Sequence, residues 1–436
     1  MATTYLQRST GTPTSQTKFT VSVWVKRSGL SSSNNMDIFC IYSDSSNRMH
    51  LRFQGDDIDV INYGGSTQAR LTTDRKFRDT NAWFHIVWRV DTTLATADDR
   101  VRLYINGVQE TSFSTRTNPS QNFSFGTNWN ITRIGLDNSA SYFDGIMSHF
   151  HYSDGYSYGP DTFGSTDATT GEWQINSTPS FTLGNNGFTV LKDGNTITDQ
   201  SSNSNDFSAG GATLTKTEDN PSNVFATWNF LSSPSNGNVG DVTGSNGNTT
   251  TSYLAQYRSY PATLGFKSGK WYWESKRKST SNDFHLGICS ENLTPANQAT
   301  WVGNTANGWI YAGDGGDLYN NGSNPGSSGY NTFGLNDIIG VAYDADNGKL
   351  YFSKNGTWQN SSDPANGTNP AFSGLDTSLF YFPVIVAGAN SETNFGNGYF
   401  GTTQVSSAGT NASGNGIFEY DVPTGYTALC TKGLNS

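Results

Sequence analysis

The sequence has few charged residues, no large basic cluster and no long apolar run, and each shortage excludes a class of protein. Only 14% of its 436 residues are charged, and the formal net charge is −10. The phosphates of nucleic acid repel such a chain, so we predict no nucleic-acid partner. No apolar run approaches the roughly 20 residues that a membrane-spanning helix needs, so we also predict no membrane insertion.

Cysteine is scarce as well. The three cysteines, Cys40, Cys289 and Cys430, are odd in number and far apart in sequence. This pattern is typical of buried free thiols and not of a disulfide framework, which is compatible with folding in a reducing cytoplasm. The first residues (MATTYLQRST) lack the apolar core of a signal peptide. We therefore expect any release from the cell to follow another route, such as lysis.

A helical period is missing too. No long window places apolar residues on one face of a helix between capping residues. The chain instead contains 48 glycines, and 13% of its residues are aromatic. Short strands separated by turns account for that composition, so we predict an all-β protein with very little helix.

Two stretches have the pattern of a central hairpin in a β-sandwich. In the first, apolar residues occupy every second position, at Phe84, Ile86, Trp88 and Val90, and therefore lie on one face of a strand. A second strand follows and ends at Asn106-Gly107, a pair that readily adopts the positive φ of a tight turn.

The second stretch, residues 337–358, reads DIIGVAYDADNGKLYFSKNGTW and repeats this logic. Its turns are Asn347-Gly348 and Asn355-Gly356. Each hairpin indicates its own sandwich, and the chain is long enough to bury two cores. We therefore predict two antiparallel β-sandwiches in tandem.

Several motifs resemble known families. VSVWVKRS at residues 21–28, the first hairpin, and RIG…YFDGIMSHFHYSDG resemble a laminin G-like, concanavalin A-type jelly roll. The following segments, FGST…GEW, GNNGFTVL and DQSSNSNDF, resemble a connector in virion proteins of tailed phages from marine bacteria, such as cyanophages. In those proteins the connector leads to a SPRY-like sandwich. That resemblance continues through GKWYWE at residues 269–274, residues 341–356, and VPTGYTALCTKGL at 422–434.

The resemblance implies three regions. Residues 1–155 are expected to form the laminin G-like sandwich, 156–228 the polar connector, and 229–436 the SPRY-like sandwich. Within the last region we predict a long surface loop or flexible hinge at 232–252, where the sequence is polar and of low complexity, and a strand at Gly416–Tyr420.

The function that the resemblance implies is a non-enzymatic virion structural protein. We expect a tail fibre or tail adhesin, located in the virion, that presents lectin-like sandwiches to host-surface glycans or protein receptors. Its expected partners are other virion proteins and further copies of itself, because fibre-like proteins are usually symmetric homo-oligomers. The first alternative is a capsid decoration or assembly protein without a host ligand.

The second alternative is a polysaccharide-degrading enzyme, since the concanavalin A-type fold also hosts glycanases. Such enzymes need two carboxylates that flank the scissile bond. Here no E-x-D-x-x-E pattern occurs, and the glutamates are scattered singly. No phosphate-binding loop or zinc spacing is present either. We therefore predict no catalytic residues and no cofactor.

His149 and His151 are weak candidates for a metal site. Two positions apart on a strand, their imidazoles would face the same side, where they are able to ligate a transition metal. No third ligand is evident, although a trimer would supply more by symmetry. Two polar residues on a solvent-facing strand are the commoner interpretation.

The best candidate binding surface lies between Trp301 and Tyr330, where aromatic residues alternate with Asn, Asp and Gly. Aromatic rings stack on the C–H bonds of sugars, while amides and carboxylates bind hydroxyl groups. The alternative is that Trp309 and Tyr311 face the core. The predicted contact residues are Trp301, Tyr311, Asp314, Tyr319, Asn320 and Asn321.

Overall fold

The computed structural model describes residues 3–30, 35–137, 140–192, 196–232, 242–253, 258–280, 284–326 and 329–435. The chain divides into two compact units, Met1–Lys216 and Thr217–Ser436. Within the described residues, α-helix is confined to α1 (Pro295–Gln298) and α2 (Thr431–Leu434), which confirms the all-β prediction. None of the described helices has the length and apolar character that crossing a membrane requires.

The first unit is built from two antiparallel sheets. One has eight strands in the order β10-β6-β5-β4-β3-β11-β1-β16, and the other has six in the order β15-β12-β2-β7-β8-β9, while β13 pairs with β14. The strands are β1 (Tyr5–Ser9), β2 (Lys18–Arg27), β3 (Asn35–Asp44), β4 (Asn47–Gln54), β5 (Asp57–Gly64), β6 (Thr67–Thr73), β7 (Phe84–Asp91), β8 (Val101–Ile105), β9 (Val108–Gln109), β10 (Phe113–Thr117), β11 (Ile131–Ile134), β12 (Gly145–Asp154), β13 (Gly164–Thr166), β14 (Trp173–Ile175), β15 (Phe188–Val190) and β16 (Ser208–Gly210).

The first predicted hairpin is confirmed as β7 and β8. The alternate positions Phe84, Ile86, Trp88 and Val90 all belong to the buried core of the unit. Asn106 and Gly107 close the turn with φ angles of 48° and 79°. The period-two pattern therefore identifies correctly which face of β7 packs against the opposite sheet.

The region predicted as a connector is divided between the two units. Within it, β15 pairs with β12 and β16 pairs with β1, so each extends a sheet of the first unit. Residues from Thr217 onward belong to the second unit. The polar region at 156–228 therefore contains short edge strands as well as turns.

His85, on the outer face of β7, holds the β13–β14 segment. Its ring stacks on the indole of Trp24 at a centroid distance of 4.8 Å. Nδ1 accepts a hydrogen bond of 2.9 Å from Trp173 Nε1, which is a donor only, so the proton of the neutral ring lies on Nε2 and is donated to Ser22 Oγ. Burial lowers the pKa of His85 to about 3, so the ring is neutral at pH 7.

The second unit also contains two main sheets. The order in the larger is β17-β18-β28-β20-β24-β25-β26, with β31 parallel to β20, the five-stranded sheet is β19-β27-β21-β22-β23, and β29 pairs with β30. The strands are β17 (Val242–Ser245), β18 (Thr250–Tyr253), β19 (Ser259–Pro261), β20 (Lys270–Arg277), β21 (Phe284–Ser290), β22 (Gly308–Ala312), β23 (Asp317–Tyr319), β24 (Ile338–Asp344), β25 (Lys349–Lys354), β26 (Thr357–Trp358), β27 (Tyr381–Ala387), β28 (Ser391–Asn394), β29 (Tyr399–Phe400), β30 (Thr403–Gln404) and β31 (Thr427–Ala428).

The second predicted hairpin is confirmed as β24 and β25. The loop prediction for residues 232–252 is wrong in its last part, because β17 and β18 form a hairpin there. Asn246, Gly247 and Asn248 close it with φ angles of 51°, 66° and 62°, conformations that Asn and Gly adopt more readily than other residues. Residues 233–241 of that predicted loop lie outside the described residues.

Glu274, on β20, holds the C-terminal segment. Its carboxylate is fully buried and accepts hydrogen bonds of 2.9 Å from the backbone N–H groups of Glu419 and Tyr420, and one of 3.0 Å from Tyr272 Oη. Burial raises the pKa of Glu274 to about 7. The predicted strand Gly416–Tyr420 is therefore wrong, since two of its N–H groups bind this carboxylate and not a neighbouring strand.

Candidate functional site

The predicted binding loop surrounds the β22–β23 hairpin at one edge of the five-stranded sheet. Residues 291–307 connect β21 to β22, and they contain α1 and a 3₁₀ turn at Val302–Asn304. Val302 packs with Ile310 and Val384 in a small buried cluster separate from the main core. The connection therefore covers part of the outer face of the sheet.

Alternation along β22 decides which aromatic residues reach the surface. Tyr311 is fully buried in the main core, where its ring contacts Phe333 at 4.8 Å and its hydroxyl donates to the backbone oxygen of Asn331. Burial raises the pKa of this phenol above its usual range. Tyr311 is therefore not a surface contact residue, and for this residue the alternative interpretation, that it faces the core, is correct.

Four side chains form one cluster on the outer face, which we call the aromatic patch: Trp301, Tyr319, His285 and Asp314. The rings of Trp301 and Tyr319 meet edge to face at 4.5 Å, and His285 lies 5.3 Å from Trp301. Both of the larger rings are half-buried, so each keeps a partly exposed surface. Trp301 and Tyr319 pack against the small buried cluster, so their rings form a partly exposed aromatic surface.

Asp314 supplies the charge of the aromatic patch. Its side chain is 49% exposed, and its Oδ1 lies 3.6 Å from Nε2 of the buried His285. The adjacent imidazole of His285 lowers the pKa of Asp314, so this carboxylate is ionised at neutral pH. A ligand hydroxyl or amine at the patch would meet an oriented acceptor.

Asn320 and Asn321 belong to the tight turn beside the patch. Asn320 donates from Nδ2 to the backbone oxygen of Gly308 at 2.8 Å, so it fixes the hairpin. Asn321, with a φ of 55°, is exposed, and its backbone N–H donates to the oxygen of Thr305 at 3.0 Å. Of the two, Asn321 presents the amide that is available to a ligand.

Sequence reasoning missed His285. The residue occupies an outward position on β21, between the core residues Phe284 and Leu286. The alternation in FHLGIC was the available signal, because it places a polar residue on the outer face. What the sequence does not give is that Trp301 folds back over that position.

The histidine pair does not lie on a solvent-facing strand. His149 and His151 are only 6% and 3% exposed. A bulge interrupts the pairing between Ser148 and His151, with His149 at a φ of 49°, yet the two imidazole centroids lie 6.4 Å apart. Within the described parts of the chain, no group of three or more His, Cys, Asp or Glu residues is placed to hold a metal ion.

His151 instead packs among aromatic rings. Its ring stacks on Phe163 at 5.6 Å and meets Phe181 at 5.5 Å, and its Nδ1 is 2.9 Å from Thr189 Oγ1. Burial and the neighbouring histidines lower its pKa well below the usual range. His151 also lines a cleft of about 270 Å³ whose rim includes Lys192.

Comparisons with known proteins agree with the two sandwiches. Residues 1–156 match the laminin G family model described as the concanavalin A-like lectin/glucanases superfamily, and residues 270–398 match the SPRY domain model. The chain therefore contains a laminin G-like domain followed by a SPRY domain. No curated protein sequence matches the chain.

Solved SPRY structures are similar to part of the chain. The SPRY domain of human HERC1 is 18% identical, with a TM-score of 0.29, over 35% of this chain and 89% of that one. The TRIM65 PSpry domain is 16% identical, with a TM-score of 0.28, over 38% of this chain and 89% of that one.

Proposed function

We propose that the protein is a non-enzymatic structural protein of a tailed-phage virion, a tail fibre or tail adhesin that binds host-surface glycans or protein receptors. The aromatic patch carries this proposal. It combines two half-buried rings, an ionised carboxylate and an adjacent exposed amide on a hairpin that backbone hydrogen bonds hold rigid. Such a surface binds sugars or peptides without any group that must react.

The two kinds of domain and the connector motifs support the same proposal. Laminin G-like and SPRY domains are sandwich modules whose loops are free to carry binding surfaces. The phage assignment rests on the connector sequence around FGST…GEW and DQSSNSNDF. The proposed location is the virion, and the proposed partners are other virion proteins and further copies of the chain.

Binding by the patch is tested with Tyr319→Ala. Truncation removes one of the two partly exposed rings, so we expect at least about tenfold weaker binding of the purified chain to host cells. The control is Tyr156→Ala, which removes a 39% exposed tyrosine from the first unit and should leave affinity within about twofold. Equal binding by the wild type and Tyr319→Ala would exclude the patch as the receptor site.

The virion assignment is tested by electron microscopy of particles labelled with a gold-conjugated antibody against residues 253–436. Gold on the tail or its fibres is the expected result. Gold over the head would favour the decoration alternative instead. Particles that lack the protein altogether would contradict the virion assignment.

A further inference from the structure

A row of alternating tyrosines and arginines crosses the outer face of the eight-stranded sheet in the first unit. Five consecutive strands, β1, β11, β3, β4 and β5, each contribute one member. We call these residues the tyrosine–arginine row: Tyr5, Arg133, Tyr42, Arg48 and Tyr63. Four strand spacings give the row a length of roughly 19 Å.

The row faces away from the core. Because successive residues of a strand point to opposite faces, the chain neighbours of the row should be buried. These neighbours are each 2% exposed or less: Leu6, Ile134, Ile41, Met49 and Asn62. The members of the row are themselves half-buried, so each presents part of its side chain to solvent.

Ring contacts hold both guanidinium groups in place. Cζ of Arg133 lies 5.1 Å from the ring centroid of Tyr5 and 4.9 Å from that of Tyr42. Cζ of Arg48 lies 4.6 Å from the centroid of Tyr63, its partner on the adjacent strand. Cation–π contacts orient a guanidinium without consuming its N–H donors, which remain available to a ligand.

The charge of Arg48 is not neutralised by the described residues. Two other arginines on the same sheet, Arg52 and Arg70, both pair with the buried carboxylate of Asp59, at 2.9 and 2.8 Å. Arg48, by contrast, makes no hydrogen bond or ion pair with any residue that the structure describes. Its planar set of donors is therefore free.

Arg133 is bound only to uncharged acceptors among the described residues. It donates to the backbone oxygen of Asp137 at 2.7 Å and to Gln7 Oε1 at 3.3 Å. The Asp137 carboxylate accepts from the Ser141 N–H, and the fully buried Asp37 is bound to His50. Among the described residues, the row thus carries two guanidinium groups without an ion-pair partner, on a chain whose net charge is −10.

We propose that the tyrosine–arginine row binds an anionic polysaccharide, one that carries sulfate or carboxylate groups. Guanidinium groups bind both anions through paired N–H donors, and the phenol hydroxyls beside them bind sugar hydroxyls. A row of this length suits an extended polymer better than a compact ligand. This inference deepens the proposed glycan-binding role, but it concerns the first unit and does not depend on the aromatic patch.

Binding of the purified full chain to dextran sulfate, polygalacturonate and neutral dextran tests the proposal. We expect the wild type to bind one or both anionic polymers and not neutral dextran. Arg48→Gln should weaken that binding about tenfold, because one charge-assisted contact is lost. Since Arg48 has no hydrogen-bond partner within the described chain, this variant should unfold at the wild-type denaturant concentration.

A matched control separates the row from general charge attraction. Arg78→Gln removes one positive charge from the same unit at a side chain that is 65% exposed and paired with Asp56. We expect its affinity to stay within about twofold of the wild type, because it lies outside the row. Equal losses for Arg48→Gln and Arg78→Gln would overturn the proposal in favour of nonspecific attraction.

Two further outcomes also overturn it. One is equal binding to neutral and charged dextran, since the charge would then not matter. The other is no polymer binding together with self-association that Arg48→Gln abolishes, which would identify the row as a protein interface. Host-cell binding that Tyr319→Ala abolishes, together with no binding of the wild type to either anionic polymer, would contradict this inference and leave the proposed attachment role standing.

Discussion

Each unit holds an added chain segment against the outer face of a central strand through one buried titratable side chain. In the first unit His85 accepts from Trp173, and in the second Glu274 accepts from the backbone of Glu419 and Tyr420. Burial disfavours the charged form of both groups. Burial keeps the imidazole neutral, whereas the carboxylate is buried with a pKa of about 7.

The difference follows from what each group has to hold. Two backbone N–H groups without strand partners need a strong acceptor, and a carboxylate supplies two oxygens to them. A single indole N–H needs one acceptor, which a neutral imidazole provides at a lower desolvation cost. The second unit should therefore depend more on its anchor than the first unit does.

The largest effect is expected for Glu274→Ala. The substitution deprives the part-buried N–H groups of Glu419 and Tyr420 and the buried hydroxyl of Tyr272 of this acceptor. We expect the free energy of unfolding of the second unit to fall by about 4 kcal/mol at pH 5, measured by urea denaturation.

Glu291→Ala is the matched control for that variant. Glu291 is exposed and accepts from the single backbone N–H of Phe380 at 3.1 Å, so its removal should cost less than about 1 kcal/mol. Similar losses for the two variants would mean that Glu274 does not anchor the C-terminal segment.

The pH dependence of the two anchors should have opposite signs. The folded pKa of Glu274 is raised from 4.5 to about 7, so the folded state binds more protons in this window and stability falls as pH rises through it. The folded pKa of His85 is lowered from 6.5 to about 3, so its contribution is lost as pH falls below 6.5. The free energy of unfolding should change by about 3 kcal/mol over about 2.5 pH units in each case, upward from pH 4.5 for Glu274 and downward from pH 6.5 for His85.

Hydrogen exchange measured by mass spectrometry gives the pH dependence of stability for each unit separately, because the peptides 84–91 and 270–277 belong to different units. Exchange rates are corrected for the intrinsic effect of pH, and the wild type is compared with Glu274→Gln and His85→Phe. From pH 5 to pH 8 the stability advantage of the wild type over Glu274→Gln should shrink. From pH 7 to pH 4 its advantage over His85→Phe should shrink. If the two stability advantages changed with pH in the same direction, the proposed difference between the Glu274 and His85 anchors would be contradicted.

Much of the fold could be predicted because the pattern is local. Alternation in β7 identifies the core face, and Asn106-Gly107 identifies the turn, since both signals lie within a few residues. The histidine pair shows the limit of this reasoning. A bulge beside His149 interrupts the strand, and no Gly or Pro from Ile146 to Asp154 announces it.

The candidate site was harder to predict because it depends on contacts between distant residues. The alternation of side chains along β22 places Tyr311 and Ile310 on opposite faces of the sheet. It does not indicate which of these faces the connection at 291–307 covers. The pairing of Trp301 with His285 and the capture of residues 419–420 by Glu274 are tertiary contacts. Polar side chains that hold such segments look like ordinary outward-facing residues in the sequence.

The smallest effect is expected for Trp173→Phe, which isolates the hydrogen bond of the weaker anchor. An aromatic ring is kept, although a smaller one, and the donor to Nδ1 of His85 is lost, so we expect the first unit to lose about 1 kcal/mol of unfolding free energy in urea. Trp129→Phe makes the same change at a half-buried indole whose nitrogen donates to no described residue. If both variants lose the same stability, ring packing and not the bond to His85 holds the β13–β14 segment. A greater loss for Trp173→Phe would show that even a neutral imidazole stabilises its segment through hydrogen bonding.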